Sequence, residues 1–165
     1  METKELNLFV NYSKTEDNVT HGFISLLHCV GERIAKSIIE SLCPNIKMNY
    51  KIIYDIQSPS IDNDKIFRNA SNGFILGISS IGTEIIKDIS DKKESRADGW
   101  IYDGKNLILI ESKVVDKFSE DQLSRHKQQL EKYCSTVKGI ESITWQKIDG
   151  ELRFLLNKND INSRP

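Results

Sequence analysis

The sequence has few cysteines, no long apolar run and almost no net charge, and each shortage excludes a class of protein. The three cysteines, Cys29, Cys43 and Cys134, lie far apart and outside any C-x-x-C pair. They indicate free or buried thiols in a reducing cytoplasm and argue against a disulfide framework or a zinc site. No apolar stretch reaches the ~18 residues of a membrane helix, and the N-terminus has no signal-peptide pattern. We therefore expect neither a membrane span nor a signal peptide.

The bulk composition is typical of one globular domain. The chain has 165 residues, of which 38 % are hydrophobic and 28 % charged, enough for a single core. We expect that core over about 15–156, with 157–165 as a polar tail or the start of a linker. A net charge of −1 argues against a protein held to nucleic acid by bulk charge, although a local basic groove remains open.

Residues 15–42 carry a helical apolar stripe, with Thr15 as N-cap and Gly31 as a point where the helix could break. Glu16 falls at the centre of this stripe and has two interpretations: a solvated first-turn glutamate that suits the helix dipole, or a carboxylate aimed at a sheet. His21 and His28 lie on the opposite face and are predicted to be surface residues. Residues 44–95 permit only fragmentary predictions, among them a strand over 48–56 and a short apolar run over 74–78.

The region that organises the chain is a predicted β-hairpin over residues 98–113. Its second strand, 106–115, is the most apolar run in the sequence, which predicts a central strand covered on both faces. The first strand, about 97–102, precedes the turn sequence Asp-Gly-Lys-Asn at 103–106. If all four residues form the loop, Tyr102 pairs with Leu107; a two-residue turn shifts this register.

Charged side chains end this apolar strand. Because strand side chains alternate, Glu111 and Lys113 point the same way as Leu107 and Leu109, and both hairpin registers place Asp98 on that face. Two carboxylates and an ammonium at the edge of a buried sheet are costly unless paired or given a metal. This cost marks the region as a candidate functional site.

A second helix is predicted from the capping-box pattern at 119–122 to about Val137. On it, Gln122 and His126 lie one turn apart and can reach the same space. Gln122 is interpreted either as the capping-box residue or as a site residue, and His126 either as a half-buried helix histidine or as a site residue. Beyond the helix we predict a strand over 143–148, a turn at Asp149-Gly150 and a strand over 152–156.

Two carboxylates on adjacent strands are what Mg²⁺ needs, since it takes one or two protein carboxylates and keeps several waters. A lysine on the same face can hold the attacking water and offset the charge that develops on a phosphoryl group. A flanking glutamine can orient water or phosphate, and a helix carboxylate can complete the metal's outer shell. The arrangement predicts metal-dependent phosphodiester chemistry.

The order Glu16, Asp98, Glu111-Ser112-Lys113 and Gln122 resembles the PD-(D/E)xK nuclease superfamily, although Ala97 stands in place of the proline of that name. The resemblance implies a restriction-endonuclease-like α/β fold with an α-β-β-β-α-β core and a central mixed sheet. It implies that Asp98 and Glu111 bind Mg²⁺ or Mn²⁺, joined by Glu16, and that Lys113 assists the attacking water. Residues 16–20 and the apolar helix after them also resemble the opening of prokaryotic DNA-defence members.

We therefore expect a cytoplasmic nuclease that cleaves DNA through a metal-activated water, with RNA not excluded as a substrate. A homodimer or larger assembly is expected because one site per subunit cuts two strands most simply with two-fold symmetry. Targeting would come from a partner protein or a missing C-terminal region. The alternatives are an inactive nuclease-fold module that serves as a nucleic-acid-binding or protein-interaction scaffold, and an unrelated α/β domain in which Asp98 and Lys113 form a structural ion pair.

Overall fold

The chain folds into a mixed β-sheet with helices on both faces. The computed structural model describes residues 15–49, 51–56, 66–67, 69–80, 82, 84–87 and 96–162. In these ranges the helices are α1 (Thr15–Cys29), α2 (Glu32–Leu42), α3 (Glu120–Tyr133) and α4 (Trp145–Asn162). The strands are β1 (Ile53–Ile56), β2 (Asn72–Ser79), β3 (Ile85–Ile86), β4 (Gly99–Tyr102), β5 (Asn106–Lys113), β6 (Phe118–Ser119) and β7 (Thr136–Thr144).

Five strands form the main sheet, in the order β1-β4-β5-β2-β7. The β4 strand pairs antiparallel with β1 and β5, whereas β2 pairs parallel with β5 and β7. Strand β5 is therefore central, as its apolar run predicts, and every residue from Asn106 to Ser112 is buried. In the hairpin Tyr102 pairs with Leu107, which is the register expected for the four-residue turn.

Alternation along β5 assigns its side chains to two separate cores. Ile108 and Ile110 belong to a core with α1, α2 and α4, while Leu107 and Leu109 belong to a core with α3. Glu111 consequently faces α3, and Ser112 faces α1. The small sheet of β3 and β6 lies with α3, because Phe118 of β6 belongs to the same core as Leu107 and Leu109.

Two glycines of the sheet allow close packing around the end of β5. A Cβ on Gly77, the neighbour of Glu111 in the sheet, would lie 2.9 Å from the Phe118 ring. A Cβ on Gly99 would lie 2.3 Å from Cδ1 of Ile24 on α1. Since real Cβ atoms do not approach so closely, only glycine fits at these two positions without rearrangement.

The N-terminal helix is broken where the sequence allows it. Gly31 has a φ of 78°, a value that favours glycine, and separates α1 from α2. Burial on α1 also extends beyond its apolar stripe. His21 is buried, so its assignment to the surface is wrong, while His28 is exposed as predicted.

The predictions fail most clearly after α3. That helix ends at Tyr133 rather than near Val137. The strand expected over 143–148 is instead β7, which occupies Thr136–Thr144. Where a strand, a turn at Asp149-Gly150 and another strand were expected, the chain forms α4, and the expected polar tail is helical as far as Asn162. The described strand near 48–56 is limited to β1. In the part of the chain that the structure describes, no helix is long and apolar enough to cross a membrane.

The expected fold class is confirmed as α/β with a mixed central sheet flanked by helices. The main sheet receives four strands before α3, β1, β2, β4 and β5, where the expected core order has three. The three cysteines are free thiols, exposed at Cys29 and buried at Cys43 and Cys134.

Candidate active site

The candidate site is centred on Glu111, a carboxylate buried at the end of the central strand. Its side chain is 1 % exposed, and burying a carboxylate is unfavourable unless hydrogen bonds or charges compensate. Three side chains provide that compensation: Lys113, Gln122 and His126. Lys113 comes from β5 itself, and Gln122 and His126 come from α3. Helix α3 therefore contributes both to the site and to the core that contains Leu107 and Leu109.

Lys113 is the charged partner of Glu111. Its Nζ lies 2.9 Å from Oε1 of Glu111, and its side chain is 14 % exposed. The two residues are two positions apart on one strand, so alternation places them on the same face, as the sequence predicts. The Lys113 side chain therefore keeps some contact with solvent, whereas that of Glu111 has almost none.

Two residues of α3 complete the environment of Glu111. Nε2 of Gln122 donates to Oε1 at 2.5 Å, and Nε2 of His126 lies 2.8 Å from Oε2. Both belong to one flank of α3, one turn apart, so the prediction that they reach the same space is confirmed. His126 is fully buried rather than half-buried. Its Nδ1 has no hydrogen-bond partner among the described residues.

The capping-box interpretation of Gln122 is wrong. Ser119 is the N-cap residue of α3, but its side chain makes no capping hydrogen bond. The Gln122 amide instead donates to Glu111, which lies in the sheet. A buried carboxylate gains from this donor because an unsatisfied buried charge is costly.

Asp98 is anchored to the backbone of the strand that carries Glu111. Its Oδ2 accepts a hydrogen bond from the backbone N–H of Ser112 at 2.7 Å. Its own backbone N–H donates to the carbonyl of Ile110 at 2.9 Å, although the Cα partner of Ile110 is Gly99. Asp98 and Gly99 thus oppose one residue of β5, as in a β-bulge. This local geometry fixes the Asp98 carboxylate beside the Glu111–Lys113 segment.

The opposite face of the same segment contacts α1. The hydroxyl of Thr20 donates to Oγ of Ser112 at 2.6 Å, and both side chains are fully buried. Glu16 lies one helical turn before Thr20, so the N-terminal end of α1 is near the end of β5. The backbone of Glu16 is helical, and its side chain lies outside the described part of the structure.

The carboxylate oxygens of the site are suitable ligands for a hard cation. A carboxylate offers about four acceptor positions, and the three donors on Glu111 occupy three of them. Asp98 supplies a second carboxylate. Within the described ranges no group of three or more His, Cys, Asp and Glu side chains is arranged to hold a metal. Mg²⁺ does not require such a group, because waters and substrate oxygens complete its coordination.

The comparisons with known proteins identify no family. The chain matches no protein-family model, no curated protein and no solved structure. The function must therefore be inferred from the residues of the site.

Sequence reasoning identified Asp98, Glu111, Lys113 and Gln122, and the structure brings the last three into direct contact. It undervalued His126, although the four-residue spacing from Gln122 on a helix was the available signal. Thr20 was missed altogether. Its contact with Ser112 depends on the tertiary approach of α1 to β5 and has no local signature.

Proposed function

We propose that this chain is a metal-dependent nuclease that hydrolyses phosphodiester bonds in DNA. The observation that carries the proposal is the convergence of Lys113, Gln122 and His126 on the buried carboxylate of Glu111. A cluster built only for stability would more simply be apolar, because replacing buried ion pairs by packed apolar residues is often neutral or stabilising.

Asp98 and Glu111 would hold the cation, Mg²⁺ or Mn²⁺, with Glu16 as a further carboxylate. When bound, the cation would offset the negative charge of the phosphodiester and make water a better nucleophile. Gln122 and His126 act as positioning residues, because their hydrogen bonds fix the orientation of the Glu111 carboxylate. The Ser112 amide does the same for Asp98.

Lys113 has the role closest to the reacting atoms. Its ammonium can donate to the attacking water and offset charge on the phosphoryl oxygens in the transition state. The water oxygen bonds to phosphorus while the bond from phosphorus to the 3′ oxygen breaks. The water releases a proton to solvent and the 3′ oxygen takes one up from solvent, which leaves 5′-phosphate and 3′-hydroxyl ends.

The resemblance to PD-(D/E)xK nucleases supports the same activity and extends it. A hairpin carrying Asp98 and Glu111, followed by a helix carrying Gln122 and by a strand parallel to β2, is compatible with a restriction-endonuclease-like fold. We further propose that the chain is the effector domain of a prokaryotic DNA-defence system, acts as a dimer or larger assembly, and is targeted by a partner or by additional C-terminal sequence.

A plasmid and linear-duplex cleavage assay with Mg²⁺, Mn²⁺ or EDTA tests the activity, with RNA of the same sequence as a second substrate. We expect cleavage that requires metal and disappears in Asp98→Asn and Glu111→Gln. Lys113→Met should lower the rate by about 100-fold or more, as expected for loss of a charge-stabilising donor. Asp116→Asn and Lys105→Met change equivalent but exposed side chains and should retain full activity.

Cleavage that persists in all three site variants would refute the assignment of the site. The second candidate is an inactive nuclease-fold scaffold, and one observation favours it: Glu111 is already compensated by three donors. Wild-type protein that binds DNA but cleaves neither DNA nor RNA with either metal would support this scaffold.

A further inference from the structure

A cleft on the α3 face lies apart from the contacts of Glu111. It has a volume of about 650 Å³ and is bounded by α3, β7 and the short strand β3. Sites for small ligands or for single groups of a larger ligand commonly measure about 300–1,000 Å³. The cleft is thus large enough for a ligand of nucleotide size.

The floor of the cleft is aliphatic. Ile75, Leu123 and Val137 form part of the lining, together with Ile85 and Ile140. The last two are 48 % and 41 % exposed, which is high for large apolar side chains. A ligand with an apolar face would remove this surface from water, which favours binding.

The rim of the cleft is basic. Lys87, Lys127 and Lys138 contribute to the lining, and all three are exposed. Glu120 is the one acidic residue among the described lining residues. Within the described part of the chain, none of these three lysines forms an ion pair. Three like charges around one cleft repel each other and attract an anion.

Helix α3 connects this basic cleft to the candidate active site. Gln122 and His126 face Glu111, whereas their immediate neighbours Leu123 and Lys127 line the cleft. Successive helix residues point about 100° apart, so the two sites lie on adjacent flanks of the same helix. The two sites are therefore close neighbours on one helix.

We propose that the basic cleft binds an unpaired nucleic-acid strand, with phosphates at the three lysines and bases on the aliphatic floor. This inference rests on the proposed nuclease function, because it assigns a second contact with the nucleic-acid substrate, at a stretch where its strands are unpaired. A duplex suits the cleft less well, since its bases are stacked inside and offer no apolar face. Combining a basic groove with apolar contacts to bases is the general mode of single-strand binding.

Fluorescence anisotropy with a labelled oligothymidylate tests the proposal, in EDTA so that no metal-dependent cleavage occurs. We expect the single strand to bind more tightly than a labelled duplex of equal length. Single-strand affinity falls with a logarithmic salt slope of about −0.7 per phosphate contact, so three contacts predict a loss of about 20-fold between about 50 and 200 mM salt.

Two triple variants distinguish binding at the cleft lysines from a general effect of the protein's charge on affinity. Substitution of Lys87, Lys127 and Lys138 by Gln should reduce affinity at low salt at least 10-fold and make the salt slope about 2 units shallower. Substitution of Lys47, Lys105 and Lys147 by Gln changes the charge equally at exposed positions outside the cleft and should leave affinity within about 2-fold, after correction for net charge. Ile85→Ser and Ile140→Ser should each weaken single-strand binding by about 3- to 10-fold.

Equal effects of the two triple variants would overturn the proposal, as would duplex binding as tight as single-strand binding or the absence of any single-strand binding. The two proposals can fail independently. Single-strand binding at the cleft without any cleavage would refute the proposed nuclease activity and leave the proposed binding site standing. Metal-dependent cleavage by a protein whose single-strand affinity does not change in the cleft variants would refute the binding site and leave the nuclease activity standing.

Discussion

Nε2 of His126 lies 2.8 Å from Oε2 of Glu111, and the two side chains are 0 % and 1 % exposed. The contact joins the helix that lines the basic cleft to the central strand of the sheet. Because neither group can turn to water, each depends on the other. This mutual dependence makes the pair a sensitive test of how the site is held together.

His126→Phe should lower the free energy of unfolding by about 3 kcal/mol. The substitution keeps an aromatic ring in the helix but leaves Oε2 of Glu111 without its donor, and removing one partner of a buried charged hydrogen bond costs about 3–5 kcal/mol when the other stays buried. Chemical denaturation monitored by circular dichroism measures the change. The control is His28→Phe, which makes the same substitution at an exposed position. Its free energy of unfolding should stay within about 0.5 kcal/mol of the wild type's.

A double-mutant cycle identifies the origin of that loss. In a Glu111→Leu background the buried carboxylate is absent, so His126→Phe should cost at least 1 kcal/mol less than in the wild type, roughly the coupling expected for contacting residues. If His126→Phe were equally destabilising in both backgrounds, packing of the histidine ring rather than its bond to Glu111 would explain the effect.

Gly99→Ala should destabilise the fold by about 1–3 kcal/mol, because the added methyl group overpacks the contact between β4 and α1. The new Cβ would lie 2.3 Å from Cδ1 of Ile24 and 3.2 Å from the carbonyl oxygen of Asp55. Ile24→Val removes the closer of these atoms and should restore part of the stability. Thermal unfolding of the two single variants and the double variant measures the rescue.

The control is Gly150→Ala on α4, where a Cβ would meet nothing within 4 Å. Alanine is favoured over glycine in a helix interior by about 1 kcal/mol, so this variant should be stabilised. A Gly99→Ala protein as stable as the wild type would show that α1 does not pack as closely on β4 as the structure has it.

The sequence predicted the hairpin and its charged end because their signals are local. The apolar run of β5 determines its burial, the four-residue turn at 103–106 gives its observed register with β4, and alternation determines the face of Glu111 and Lys113. Such signals depend mainly on neighbouring residues. The β-bulge at Asp98-Gly99 is the feature of this hairpin that strict alternation does not predict.

The segment after α3 was mispredicted because its apolar runs are short. Ile148, Leu152 and Leu155 were divided between two strands by the apparent turn at Asp149-Gly150, yet their spacing also fits one face of a helix. In the structure that face packs with α2 in the core that also contains residues of α1. The local sequence is compatible with both a strand–turn–strand and a single helix. Burial in the tertiary structure, which the sequence alone does not reveal, favours the helix.

Asp103 provides the strongest stability prediction outside the site. Its Oδ1 accepts the backbone N–H groups of Lys105 and Asn106 at 2.9 and 2.6 Å, and its Oδ2 accepts Asn49 N–H and the Asn106 side-chain amide at 2.7 and 2.8 Å. Four donors meet one carboxylate that is 4 % exposed. An amide in its place would direct N–H groups at other donors.

We therefore expect Asp103→Asn to lower the free energy of unfolding by about 2–4 kcal/mol, since unsatisfied buried polar groups cost about 1–3 kcal/mol each. Urea denaturation measures the change. Asp116→Asn, at an exposed position, should be neutral within about 0.5 kcal/mol. A neutral Asp103→Asn would mean that the carboxylate's negative charge is not needed to organise the hairpin turn.

The thiols should differ in reactivity. Burial raises the pKa of Cys43 to about 12 and that of Cys134 to about 11, while Cys29 is exposed. Because the thiolate is the nucleophile, native protein at mildly alkaline pH should react quickly at Cys29 alone, and denatured protein at all three. Ellman's reagent counts the thiols, and Cys29→Ser should abolish the fast reaction.

The same burial gives a pH dependence whose sign is determined. The folded pKa of Cys43 lies above its ordinary value near 9, so its contribution to stability is complete below about pH 9 and is lost as pH rises toward 12. Cys43→Ala removes this ionisation, and its unfolding free energy should fall less steeply over that range than the wild type's. Equally steep curves for the two proteins would assign the alkaline loss to other groups, such as Tyr54, whose pKa burial also raises to about 12.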